Sequence, residues 1–227
     1  MKLYNQYFKV YYRNKLLLLL TVLIIGFCLY QVVSMYVKWP DMALTPLEVT
    51  LKQAKYAYIF FLIAGYMFFY SGRQVCAEEC VAATSYGNRK QQYAAQFAVM
   101  VSIALIISLI LVICNIVIFE IINNRYCDGG IGFDYICHIF KCIFVYIFLN
   151  GILAVCFGCL FHRIGNRIAG YGLILLVIFI SSPYMEKITN TLMDTMNINL
   201  FAFKNCFDIF PINLRFAINY EFGFSVL

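Results

Sequence analysis

Charge is what this chain has least of: Asp, Glu, Lys and Arg together make up 12% of its 227 residues. A soluble globule of that length needs far more polar surface to cover its core, so the scarcity excludes one. Two further absences narrow the field. No G-x-x-x-x-G-K-[ST] segment occurs anywhere, so the chain has no P-loop with which to hold nucleotide phosphates. No small-residue cleavage site follows the first apolar run, which is also too long for a signal core, so it is expected to stay as a membrane span.

What is present is apolar, with 63% hydrophobic residues. The expected fold is an all-α polytopic membrane protein with five predicted transmembrane helices, amphipathic interfacial helices, and the opening of a truncated sixth span. The formal net charge of +6 is spread along loops and tails without forming a strip. Nucleic acid is therefore not an expected partner, and membrane lipid is. Of the ten cysteines, Cys28, Cys114, Cys137, Cys142, Cys156 and Cys159 lie in apolar runs, where Cys acts as a small hydrophobe. Cys156-x-x-Cys159 has no second ligand pair, so no metal site is expected. Cys127 and Cys206 are placed on the outer side, where a disulfide between them is permitted.

In chain order, residues 1–15 carry Lys2, Lys9, Arg13 and Lys15 without an acidic residue. The positive-inside tendency places this tail in the cytoplasm of a multi-pass cell-membrane protein. Tyr4, Phe8, Tyr11 and Lys15 share one helical face and Asn5, Lys9 and Arg13 another, so the tail is expected to form an interfacial amphipathic helix. The transmembrane domain is expected over 16–185. Span one runs over 16–37, followed by an outer loop holding Pro46, Glu48, Lys52 and Lys55. Span two covers 56–70, a cytoplasmic loop 71–96, span three 97–119, and span four 135–161. After the basic turn of His162, Arg163, Asn166 and Arg167 comes span five, 168–182. Inside positions then hold nine Lys or Arg against four in the two outer loops. The segment 186–227 reads as an outer amphipathic or re-entrant stretch, with residues 222–227 as the start of a sixth span. Within span four, Lys141 can snorkel or line a polar route, and Asn150 beside Gly151 suits helix packing or substrate contact.

The loop 71–96 is the longest wet interruption between apolar runs. A helix is expected over 74–84, with Gly87-Asn88 as breaker and Arg89-Lys90 opening the next helix. Its pattern is an acidic pair Glu78-Glu79, the tetrad Cys80 to Ala83, Thr84-Ser85, Gly87 and the basic pair Arg89-Lys90. This pattern, placed between the second and third spans, resembles the coupling loop of ABC-2 type transporter permeases, and the layout of the whole chain is similar to theirs. Two departures are Gln96, where members often carry a basic residue, and the missing sixth span. The resemblance implies a permease subunit moving a lipid, peptide or drug-like substrate. Glu78, Glu79, Thr84, Arg89 and Lys90 would dock against a separate P-loop ATPase subunit, and a second permease copy or paralogue would complete the pathway. The chain itself would be no enzyme and hold no cofactor; ATP and Mg would sit in the partner.

Two alternatives belong to other classes. Glu78-Glu79 with His162-x-x-x-Asn166 resembles CPBP-type intramembrane proteases, although Ala83 stands where their motif has arginine and His138 is expected near the outer end, across the bilayer from the Glu pair and His162. A non-transporting membrane scaffold or immunity protein is the third reading.

Overall fold

The computed structural model describes residues 2–38, 46–79, 89–126, 132–164 and 166–180, together with Thr191 and Thr195. The Cys127–Cys206 pair, Thr84, the segment 222–227 and most of 186–221 lie outside them. The described chain is helical: α1 Lys2–Arg13, α2 Lys15–Lys38, α3 Pro46–Glu79, α4 Arg89–Tyr126, α5 Phe133–Ile143, a π-helical turn Phe144–Leu149, α6 Asn150–Arg163 and α7 Arg167–Ile180. It divides into two units, Met1–Gly165 and Asn166–Leu227.

Three helical stretches are long and apolar enough to cross a membrane: Lys15–Met35, Lys90–Ile121 and Phe133–Arg163. At 1.5 Å per residue the shortest of them, 21 residues, spans about 32 Å, which matches a hydrocarbon core of about 30 Å. Their outward faces are apolar, with Val22 68%, Ile113 63% and Leu153 48% exposed. Water would not tolerate such faces over several helices, whereas lipid does. The chain is accordingly described as membrane-embedded. Helix α3 falls outside this set because Gln53, Lys55 and its tyrosines dilute its apolar run, yet Phe61, Leu62, Ala64 and Phe68 are fully buried. It is the inner helix of the first unit.

Two boundaries differ from expectation. The residues read as an outer loop, Pro46, Glu48, Lys52 and Lys55, form the first turns of α3. Proline suits the first helical position, Glu48 faces the positive end of the helix dipole, and the Thr50 hydroxyl donates to the Pro46 carbonyl at 2.7 Å. At the other end α3 continues unbroken from Tyr70 to Glu79, so residues 74–79 of the separate helix expected over 74–84 belong to α3, and Ser71-Gly72 do not interrupt it; residues 80–84 lie outside the described residues. Other starts match the residues more directly. Asn14, between α1 and α2, caps α2 by accepting from the Leu16 and Leu17 amides at 3.1 and 3.4 Å. In the second unit, Asn166 caps α7 through the Ile168 amide at 3.0 Å.

Pairings along the helices set their directions. Gln53 meets Asn115, and Phe69 lies 6.3 Å from Tyr93, so α3 and α4 are antiparallel. Gly151 lies against Phe61, Gly65 against Val155 and Gly158 against Leu62 and Tyr66, so α3 and α6 run parallel. This crossing is backbone on backbone. A Cβ at Gly158 would sit 2.7 Å from the Tyr66 amide nitrogen and 2.8 Å from the Leu62 carbonyl oxygen, neither of which can rotate away. Between helices in lipid no hydrophobic effect drives association, and such close packing replaces it.

Gly158→Ala is therefore expected to force α3 and α6 apart and to destabilise the chain by about 1–3 kcal/mol, the usual range for overpacking. Gly26→Ala, where a Cβ meets nothing within 4 Å, is expected to leave stability unchanged or raise it. Chemical unfolding of both variants in detergent micelles checks the pair.

Candidate functional site

The deepest polar group of the first unit joins three helices. Gln53 on α3 and Asn115 on α4, both fully buried, exchange reciprocal amide hydrogen bonds. The Gln53 Nε2 donates to Asn115 Oδ1 at 3.1 Å, and Asn115 Nδ2 donates to Gln53 Oε1 at 2.9 Å. The second Gln53 Nε2 proton goes to the Cys28 carbonyl of α2 at 3.1 Å, and the Cys28 thiol points back to the Gln53 carbonyl at 3.8 Å. A side-chain amide in lipid must find its partners within the protein. Here each amide satisfies the other.

Two hydroxyls lie further along the same helices. Gln53 is followed by Tyr58 five residues on, and Asn115 is preceded by Ser108 seven residues back. Because α3 and α4 are antiparallel, both steps lead the same way, by about 8 Å and about 10 Å. Tyr58 and Ser108 are 1% and 4% exposed, and neither hydroxyl has a hydrogen-bond partner among the described residues. Between the level of Glu48 and that of Tyr70 α3 rises about 33 Å, so these hydroxyls sit near half depth and the amide pair nearer the Glu48 end.

The opposite end of the unit is aromatic and basic. His162, buried at the end of α6, meets the edges of Tyr66 and Tyr70 at 6.3 and 6.1 Å, one turn apart on α3. The guanidinium of Arg163 stacks over Tyr93 of α4 at 5.5 Å. Helix α1 folds back here. Tyr7 and Tyr11 are buried with their rings edge-on to Phe68, and the Tyr4 hydroxyl donates to Ser102 at 2.9 Å. Thr21 gives its proton to the Leu17 carbonyl, so in the 2.7 Å contact of Tyr11 with Thr21 the tyrosine donates. Burial pushes the Tyr11 hydroxyl up to about 12, which keeps that proton in place.

The residues singled out from the sequence are distributed as follows. Glu78 and Glu79 are the last residues of α3, Arg89 is the first of α4, and Lys90 beside it is exposed. Thr84 is outside the described residues. Lys141 is exposed on α5. Asn150 follows the π-helical turn and donates its side-chain amide to the Tyr146 carbonyl at 3.0 Å while its backbone amide bonds Ile147. The side chain thus serves a carbonyl of the widened turn. His138 is exposed on α5, and 24 residues, about 36 Å of helix, separate it from His162. Among the described residues no group of three or more His, Cys, Asp or Glu is placed to hold a metal. Sequence reasoning passed over Gln53, Asn115, Tyr58 and Ser108. The available signal was Ser108 and Asn115 seven residues apart, on one face of an otherwise apolar helix.

No family model, curated protein or solved structure matches the chain.

The amide pair generates a sharp prediction. Asn115→Leu leaves the buried Gln53 amide short of partners and is expected to destabilise the chain by about 1–3 kcal/mol, whereas Gln53→Leu combined with Asn115→Leu costs less than Asn115→Leu alone. Tyr58→Phe removes a hydroxyl that bonds nothing and is expected to be neutral or stabilising. Unfolding of the three variants in micelles reads all of these.

Proposed function

We propose that this chain is the membrane subunit of a transporter of the ABC-2 permease type, driven by a separate ATPase that docks on the loop between α3 and α4. The observation that carries the reading is the course of the two helices that border that loop. Helix α3 runs on past Tyr70 to Glu78 and Glu79, and α4 includes Arg89 and Lys90 ahead of its apolar stretch, so an acidic and a basic pair stand on neighbouring helices. Charges of both signs placed there can pair across an interface with an ATPase subunit.

Helix α3 supports the reading in a second way. It runs on for nine residues, about 13 Å, past Tyr70, so that a force on Glu78-Glu79 meets a continuous rod. That rod passes the His162 contact, then the Gly65–Gly158 crossing, and reaches the Gln53–Asn115 pair. In this reading α3 and α7 cross the membrane with the three longer apolar stretches, the N-terminus and the loop face the cytoplasm, and the unpartnered hydroxyls at half depth lie where a substrate path would pass. A second copy or a paralogue completes that path. The protease alternative draws no support from the separation of His138 and His162.

Deleting residues 78–89, or the reversal Glu79→Arg, is expected to abolish co-purification with a P-loop ATPase while leaving the chain folded and inserted. Undiminished ATPase binding after either change would contradict the docking role.

A further inference from the structure

Five exposed cations lie at one end of the first unit: Lys9 and Arg13 on α1, Lys15 on α2, Lys90 on α4 and Arg163 on α6. Three of them mark where apolar helix stops. Lys15 begins one membrane-length stretch, Lys90 begins another, and Arg163 ends the third. Helix directions bring these three termini to one side, because Phe69 lies against Tyr93, Arg163 over Tyr93, and Tyr11 between Thr21 and Phe68. The cations of α1 are held at the same side, since Tyr4, Tyr7 and Tyr11 tie that helix to α4, α3 and α2. Its polar face, Asn5, Gln6, Lys9 and Arg13, is left outward.

The described acidic side chains are elsewhere. Glu48 begins α3, Glu120 is near the end of α4 and Asp134 is in the first turn of α5, all at the opposite end. Glu78 and Glu79 end α3 about 13 Å of helix beyond its apolar stretch, farther out than the plane of Lys15, Lys90 and Arg163. None of the five cations forms an ion pair among the described residues.

We propose that this set of cations is a binding site for the headgroups of anionic phospholipids. The placement selects lipid over a dissolved anion. Cations set at the ends of lipid-facing helices meet phosphates that the bilayer itself holds at that depth, and an amphipathic helix pinned beside them adds two more at the headgroup level. A basic residue near an anionic membrane surface gains roughly five-fold in association. The site is independent of any ATPase and requires only that the chain is embedded in a membrane.

The test uses the full chain reconstituted in phosphatidylcholine vesicles with trace spin-labelled lipid, comparing the protein-bound fraction of phosphatidylglycerol with that of phosphatidylcholine by electron paramagnetic resonance. The expected result is a several-fold preference for phosphatidylglycerol that weakens as salt rises. Changing all five residues to Gln brings the ratio to one, and Lys15→Gln or Lys90→Gln alone, which disturb no buried contact, lowers it part of the way. Inorganic phosphate, compared with chloride at equal ionic strength, leaves the preference intact. Equal binding of the two lipids by the unaltered chain, a preference that survives the five-fold substitution, or displacement of the lipid by inorganic phosphate would each overturn the proposal.

Discussion

A buried amide in a membrane has no water to fall back on, and the Gln53–Asn115 pair is the contact that the arrangement of α2, α3 and α4 depends on. Apolar side chains can slide along one another in lipid at small cost, because the tails outside are as apolar as the neighbours inside. Two amides that must exchange both of their hydrogen bonds cannot slide. Adding the Cys28 carbonyl sets the register of a third helix from the same side chain. Interhelical hydrogen bonds in membranes are worth only about 0.6 kcal/mol on average, so the pair contributes more to register than to stability.

The glycine crossing does the complementary work on the other side of α3. Gly65 and Gly158 let the backbones of α3 and α6 touch, and Gly151 makes room for the Phe61 ring. With α2 and α4 fixed through amides and α6 through close packing, α3 has polar constraints on one face and steric ones on another. Its last turns then carry the acidic pair outward. A helix held in this way transmits displacement along its axis better than it bends, which is what the proposed coupling to a separate ATPase would require.

Much of this was legible in the residues, and the failures have physical causes. The amphipathic first helix was readable from Tyr4, Tyr11, Lys9 and Arg13, although Tyr7 turned out to share the buried face with Tyr11. Membrane-length runs over α2, α4 and the α5–α6 stretch were readable from apolar length alone. Gln53 was missed because Glu48, Lys52 and Lys55 surround it, and charges on three sides of a helix read as a loop. Pro46 followed by Glu48 was the better guide, since both favour a helix start. Asn115 was missed because one amide in an apolar run has no partner in sequence; its partner lies 62 residues away. The glycine crossing needs positions from two helices, and periodicity on either one does not reveal it.

The claim that organises the rest is the continuity of α3 from the amide pair to the acidic pair. Solid-state NMR of the reconstituted chain, reading Cα and Cβ chemical shifts residue by residue from Gln53 to Glu79, tests it most directly. Helical shifts throughout, including Ser71 and Gly72, are the expected result. Coil shifts at Ser71-Gly72 would separate the loop from the membrane helix and contradict the account.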